Sequence, residues 1–219
     1  MHRAHPGWIG LALGLGVSAV LAQDSLPASA DRAPPERTGD PRQAEIGAPA
    51  PGFTLASVAG KEHSLAAFKG KIVVLEWFDP DCPYVAKHHE RNATMRDLAR
   101  TYADRDVVWL AIVSGRAAAQ PERLRDAIKA WQIEYPVLLD PQGKVARAYG
   151  ARVTPHMFVI DAEGTLAYAG AIDESADRET LGETNYVQRA VDALLAGEPV
   201  AIPSTFPYGT GLDLTHERP

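Results

Sequence analysis

The chain contains one cysteine, Cys82, and any thiol chemistry has to start there. Residues 71–89, KIVVLEWFDPDCPYVAKHH, pass from a β-branched apolar run through Trp77 and Phe78 into an Asp79-Pro80-Asp81 turn. Cys82 follows at what reads as a helix start, with Pro83 suited to the first helical turn. A thiol at a helix N-terminus meets unpaired backbone N–H groups and the positive end of the macrodipole, which favour thiolate. Asp79 and Asp81 oppose this by placing negative charge close by. A reactive, accessible thiol and a structural cysteine packed in the core are therefore both open. A turn flanked by Asp-Pro-Asp is a poor place to bury a side chain, so accessibility is the expectation.

Three further groups bear on this centre. Glu76 interrupts the apolar run six residues before Cys82. A carboxyl buried there is a candidate general acid or base, and a partly solvated glutamate paired with a lysine is the alternative. Arg152, just ahead of Val153-Thr154-Pro155-His156, is a cation that could face a thiolate or a bound anion, or else be solvated. His88, His89 and His156 could combine with Cys82 as a soft metal site, since imidazole and thiolate suit copper or zinc. His88 and His89, however, are adjacent on a helix and about 100° apart, so they do not readily face one ion. No metal or cofactor is assigned.

The elements that must position these groups follow from periodicity. Residues 72–78 and 107–113 are apolar runs typical of strands covered on both faces. Shorter strands are expected at 53–57, 136–139 and 157–160, with Asp161-Ala162-Glu163-Gly164 turning the last into a hairpin with 165–171. Helices are expected at 83–104, 121–131, 144–149 and 186–195, and a helical turn at 64–68. Strands separated by helices imply parallel crossovers, and the late hairpin adds an antiparallel pair. The expected fold is α/β, a central mixed sheet with helices on both faces.

Composition limits function. A net charge of −6, with no Lys/Arg-rich block, argues against a nucleic-acid partner. Residues 1–22 read as a secretory signal peptide, because the apolar run 8–21 is shorter than the ~20 residues a spanning helix needs. A membrane is a partner only if that segment stays uncleaved. The protein is accordingly expected to be exported, periplasmic or extracellular. Residues 23–43 read as a disordered spacer, 44–197 as the folded domain and 198–219 as a C-terminal tail. In an oxidising compartment a single cysteine has no disulfide partner within its own chain.

Ala48-Pro49, Phe53, Leu55, Ser64-Leu65, Phe68-Lys69-Gly70-Lys71, Val73-Val74-Leu75 and Trp77-Phe78 together resemble the exported redoxin branch of the thioredoxin superfamily. That branch holds AhpC/TSA proteins and the thiol-disulfide reductases of cytochrome maturation. Val153 to Asp161 is similar to its cis-proline strand, and the likeness runs from about residue 44 to 195. It implies a thioredoxin-like fold with Cys82 as nucleophile, Glu76 as proton shuttle, and Pro83, Tyr84, Thr154 and Pro155 as the substrate-binding surface. The resemblance also shows departures. Val85 stands where Cys-x-x-Cys members carry the second thiol, Asp79 where peroxiredoxins carry a threonine, and Thr210 where some exported relatives carry a cysteine after Tyr-Gly. The expected function is a single-cysteine oxidoreductase that attacks a protein or small-molecule disulfide, or a peroxide, and is resolved by an external thiol. The rival is a thioredoxin-like binding module without turnover.

Overall fold

The structure, a computed structural model, describes residues 43–214. The expected signal peptide and all but the last residue of the expected spacer lie outside them.

Strand β3 (Ile72–Trp77) is buried at all six positions and forms the centre of the sheet. Its alternate residues feed two cores. Val73, Leu75 and Trp77 pack with Leu110, Ile112, Leu138, Phe158 and residues of helix α4 (Lys144–Tyr149). Ile72 and Val74 pack on the opposite face with Met95, Leu98 and Tyr102 of α2 (Thr94–Tyr102) and Val187, Ala190 and Val191 of α5 (Tyr186–Leu195). An unbroken apolar strand is what a sheet covered on both sides requires. A third cluster joins Phe78, Cys82 and Val85 to Leu124 and Ala127 of α3 (Pro121–Ala130).

The sheet has the order β5-β4-β3-β7-β8, with β4 at Val107–Ser114, β5 at Val137–Asp140, β7 at Met157–Ile160 and β8 at Leu166–Gly170. Strands β3, β4 and β5 run parallel, while β7 pairs antiparallel with β3 and β8 with β7. This is the mixed topology expected from the helix-separated strands and the late hairpin. A short hairpin, β1 (Thr54–Ala56) with β2 (Glu62–Ser64), precedes it, and β2 carries no apolar pattern that would mark it.

Two regions differ from expectation. The helix expected over 83–104 is broken in three. A short α1 (Pro83–Ala86) leads into a π-helical turn, Lys87–Arg91, and α2 starts afresh after Ala93 in a left-handed conformation (φ 52°). Asn92 Nδ2 donates to the Lys87 carbonyl (2.8 Å), pinning the wide turn. The described part of the tail expected over 198–219, residues 198–214, folds back. Its strand β9 (Thr210–Gly211) pairs antiparallel with β6 (Val153–Thr154), the strand that enters the Thr154-Pro155 loop.

A buried polar chain fixes the end of the sheet near Cys82. Trp77 Nε1 donates to Ser114 Oγ (3.1 Å), and that hydroxyl donates to Asp140 Oδ2 (2.8 Å). The Asp140 carboxyl also accepts the Lys144 and Ala146 amides at 2.9 and 3.0 Å, capping α4. Asp140→Ala should therefore destabilise the fold by about 2–3 kcal/mol in urea denaturation, since it orphans two helix amides and a buried hydroxyl. An unchanged midpoint would contradict this role.

Candidate functional site

Cys82 lies between the end of β3 and α1, where it caps α1 in an extended conformation. Its amide donates to the Asp79 carbonyl (3.1 Å), and its own carbonyl accepts from Ala86 (3.0 Å). The side chain is only 1% exposed, packed with Phe78 and Val85. This corrects the expectation of an accessible thiol: the Asp-Pro-Asp turn is outside, but it drops the next residue inward. The thiol donates to the Thr154 carbonyl at 2.7 Å. The Thr154-Pro155 peptide bond is cis, and both residues are buried. The substrate surface expected around Thr154 and Pro155 is thus brought to the cysteine, but it is covered.

The acidic flank is less hostile to a thiolate than its sequence implies. Asp81 forms an ion pair with Arg123. Asp79 Oδ1 accepts the Asp81 amide (2.9 Å), and desolvation pushes the Asp79 carboxyl above its ordinary range. Arg178, from the polar loop after β8, is the cation beside Tyr84. Its guanidinium lies 5.5 Å from the Tyr84 ring centre, and its charge is favoured by the Tyr84 hydroxyl first and by Cys82 last. Arg152 is exposed and acts instead on His156, whose buried imidazole is lowered to about 4 by desolvation and then by that charge.

The π-helical turn buries three successive polar side chains, and each has its own partner. Lys87 Nζ donates to the Ser175 carbonyl (2.7 Å), the Thr180 carbonyl (3.2 Å) and Asp173 Oδ1 (3.4 Å). Desolvation lowers its affinity for the proton, and Asp173 opposes that shift. His88 Nε2 lies 2.9 Å from the Tyr208 hydroxyl, which also donates to Asp173 Oδ1. Burial lowers His88 to about 3. His89 Nε2 meets Glu76 Oε1 at 2.7 Å, and Glu76 Oε2 accepts from the Tyr135 hydroxyl at 3.1 Å.

Glu76 is thus fully buried, as a proton-handling carboxyl needs to be, with both oxygens engaged by His89 and Tyr135. The thiol's own hydrogen bond goes elsewhere, to Thr154. Pro83 and Tyr84 are half-buried beside the thiol, and Tyr84 stands 5.7 Å from the Tyr208 ring. Among the described residues, no group of three or more His, Cys, Asp or Glu side chains is placed to hold a metal ion. His88 and His89 turn to separate networks. Lys87, Asp173, Arg178 and Tyr208 escape the sequence reading. An α-helix gives 87, 88 and 89 no common face, and the others sit in a polar loop and a proline-bearing tail.

Two of the buried histidines, His88 and His156, have a measurable consequence. Both have an ordinary value of 6.5 when unfolded and are lowered in the fold, so acid protonates the unfolded chain first. Stability should be fully present above pH 6.5 and should fall as pH drops, by up to about 1.4 kcal/mol per pH unit for each histidine. Urea midpoints at pH 7, 6 and 5 test this. The fall between 6.5 and 5 should lessen in His88→Asn and His156→Gln, and a flat wild-type profile would contradict it.

Comparison with known proteins places this geometry. Residues 46–169 match the model of the AhpC/TSA family. The thiol-disulfide oxidoreductase ResA of Geobacillus thermodenitrificans is 31% identical over 122 residues, which cover 55% of this chain and 66% of that protein's length. The crystal structure of an uncharacterized conserved protein from Geobacillus kaustophilus superposes with a TM-score of 0.72 at 26% identity, covering 80% of this chain and 94% of that one. A putative thiol:disulfide interchange protein DsbE from Chlorobium tepidum superposes at 0.56 and 21% identity, over 70% and 99% of the respective chains. The fold is thioredoxin-like, and the chain belongs to the AhpC/TSA family.

Proposed function

We propose that the protein is an exported thiol-disulfide oxidoreductase working through Cys82 alone. The Cys82 thiolate attacks one sulfur of a disulfide R–S–S–R′. A Cys82–S–R bond forms, the original S–S bond breaks, and R′S⁻ leaves. With Val85 and Thr210 in place of further thiols, an external thiolate R″S⁻ attacks the R sulfur. That step yields R–S–S–R″ and returns Cys82 as thiolate. The observation that carries this reading is the Cys82 thiol held 2.7 Å from the Thr154 carbonyl.

The Glu76–His89 pair is the proton store for the thiol, and Pro83, Tyr84, Thr154 and Pro155 form the surface on which the substrate lies. Export rests on the sequence of residues 1–22, and thiol-disulfide substrates on the ResA likeness. The burial of Cys82 and the valine at 85 favour a second reading, a binding module of the same fold without turnover.

Insulin reduction with dithiothreitol as external thiol separates the two. Wild type should exceed dithiothreitol alone by a small margin, and Cys82→Ser should fall to that background. Glu76→Gln should lower the protein-dependent rate most of the way to that background. Equal rates for wild type and Cys82→Ser would favour the binding module.

A further inference from the structure

The tail crosses the thiol's surroundings as a strap, and its backbone is set down at close quarters. The Thr205 amide donates to the Ala169 carbonyl (3.2 Å), the Leu212 amide to the Arg152 carbonyl (3.0 Å), and the Arg116 amide to the Asp213 carbonyl (3.2 Å). Gly209 (φ 153°) approaches the Thr154 carbonyl so nearly that a Cβ would stand 2.1 Å from that oxygen. On the domain side, a Cβ on Gly170 would meet the Thr205 hydroxyl at 2.2 Å. Such contacts mark a seat shaped for a main chain.

Between them lies a recess filled by Tyr208. Its hydroxyl reaches Asp173 and His88, the Lys87 ammonium stands 4.8 Å from its ring centre, and Tyr84 flanks it. Lys87, His88 and Asp173 are at most 3% exposed, so the recess is a buried polar site made for a phenol. The rest of the strap is held lightly. Strand β9 is two residues long and exposed, and Phe206 is 95% exposed.

We infer that this recess, with the adjoining edge of β6, is a binding site for an extended polypeptide presenting a tyrosine followed by a small residue, and that the chain's own residues 207–211 occupy it in cis and close off Cys82. The edge supplies the class of ligand. Thr154 and Val153 pair with Thr210 and Gly211 as strands do, so what replaces the strap must be a peptide backbone. The recess supplies the selectivity. Removing Tyr208 leaves the buried Asp173 and His88 without its hydroxyl, and an incoming chain restores that pairing only with a hydroxyl of its own. The small residue follows from the Gly209 approach. Access to the thiol then becomes a competition between strap and incoming chain. This last part rests on Cys82 being the exchanging group; the binding site itself does not.

The test uses the full chain carrying Gly209→Val, whose side chain cannot seat against the Thr154 carbonyl, and a fluorescent peptide of the sequence of residues 204–212. Anisotropy should show binding to Gly209→Val at least about tenfold tighter than to wild type, whose strap already fills the site. The same peptide with its tyrosine replaced by alanine should bind at least about tenfold more weakly. Iodoacetamide should label Cys82 at least about tenfold faster in Gly209→Val, and the tyrosine peptide should slow it again. Tyr208→Ala, read in the same assays, serves where Gly209→Val does not fold. Equal binding to wild type and variant, indifference to the peptide's tyrosine, or unchanged labelling would overturn the inference. Peptide binding and faster labelling without any insulin reduction would leave the site standing and remove the catalytic reading.

Discussion

Burying Lys87, His88 and His89 side by side is the constraint on which the surroundings of Cys82 depend. Buried polar groups must be paired, and a charged one far more so. The π-helical turn allows all three to point inward, and each then recruits a different part of the chain. Lys87 gathers the polar loop after β8 around its ammonium, with Asp173 and two carbonyls as acceptors. His88 takes the hydroxyl of Tyr208 and so brings the tail across the site. His89 reaches down to Glu76 on the central strand. One turn of helix thus ties the thiol's loop, the strap and the sheet together.

That arrangement changes the meaning of the lone cysteine. The thiol is not exposed at a turn; it packs in the apolar cluster with Phe78 and Val85. Its hydrogen bond goes to the carbonyl of Thr154, the residue that β9 pairs with. Asp81 is neutralised by Arg123, and Arg178, delivered by the loop that Lys87 organises, lies over the ring of Tyr84, two residues after the thiol. The register sets Thr210 opposite Thr154, whose carbonyl holds the thiol. The chain keeps a hydroxyl there, where some exported redoxins place a cysteine. If Cys82 exchanges as proposed, its chemistry depends on two things from outside: a thiol to resolve it and a chain to lift the strap.

Much of the fold was legible because its signals are local. The run from Ile72 to Trp77 has to be a doubly covered strand, and helix-separated strands followed by Asp161-Ala162-Glu163-Gly164 give a mixed sheet. The family likeness led to Cys82 and the Thr154-Pro155 segment, which the fold brings into contact. What was illegible depends on partners distant in sequence. Helical phase gives Lys87, His88 and His89 no common side, so only the π-helical turn reveals them as buried. Tyr208 carries no periodic signal in its proline-bearing segment, and its place is set by His88, 120 residues earlier. The burial of Cys82 is illegible for the same reason: Leu124 and Ala127, which pack against it, come from α3, more than forty residues later.

The central claim is that Cys82 is closed by a strap that opens without unfolding the domain. The most direct measurement is the rate of Cys82 alkylation in the native wild-type protein across urea concentrations below the global midpoint. A local opening exposes little surface, so the labelling rate should depend only weakly on urea and yield an opening free energy well below that of global unfolding. Labelling that appears only with global unfolding, with the full urea dependence of that transition, would contradict the account and leave Cys82 a structural core residue.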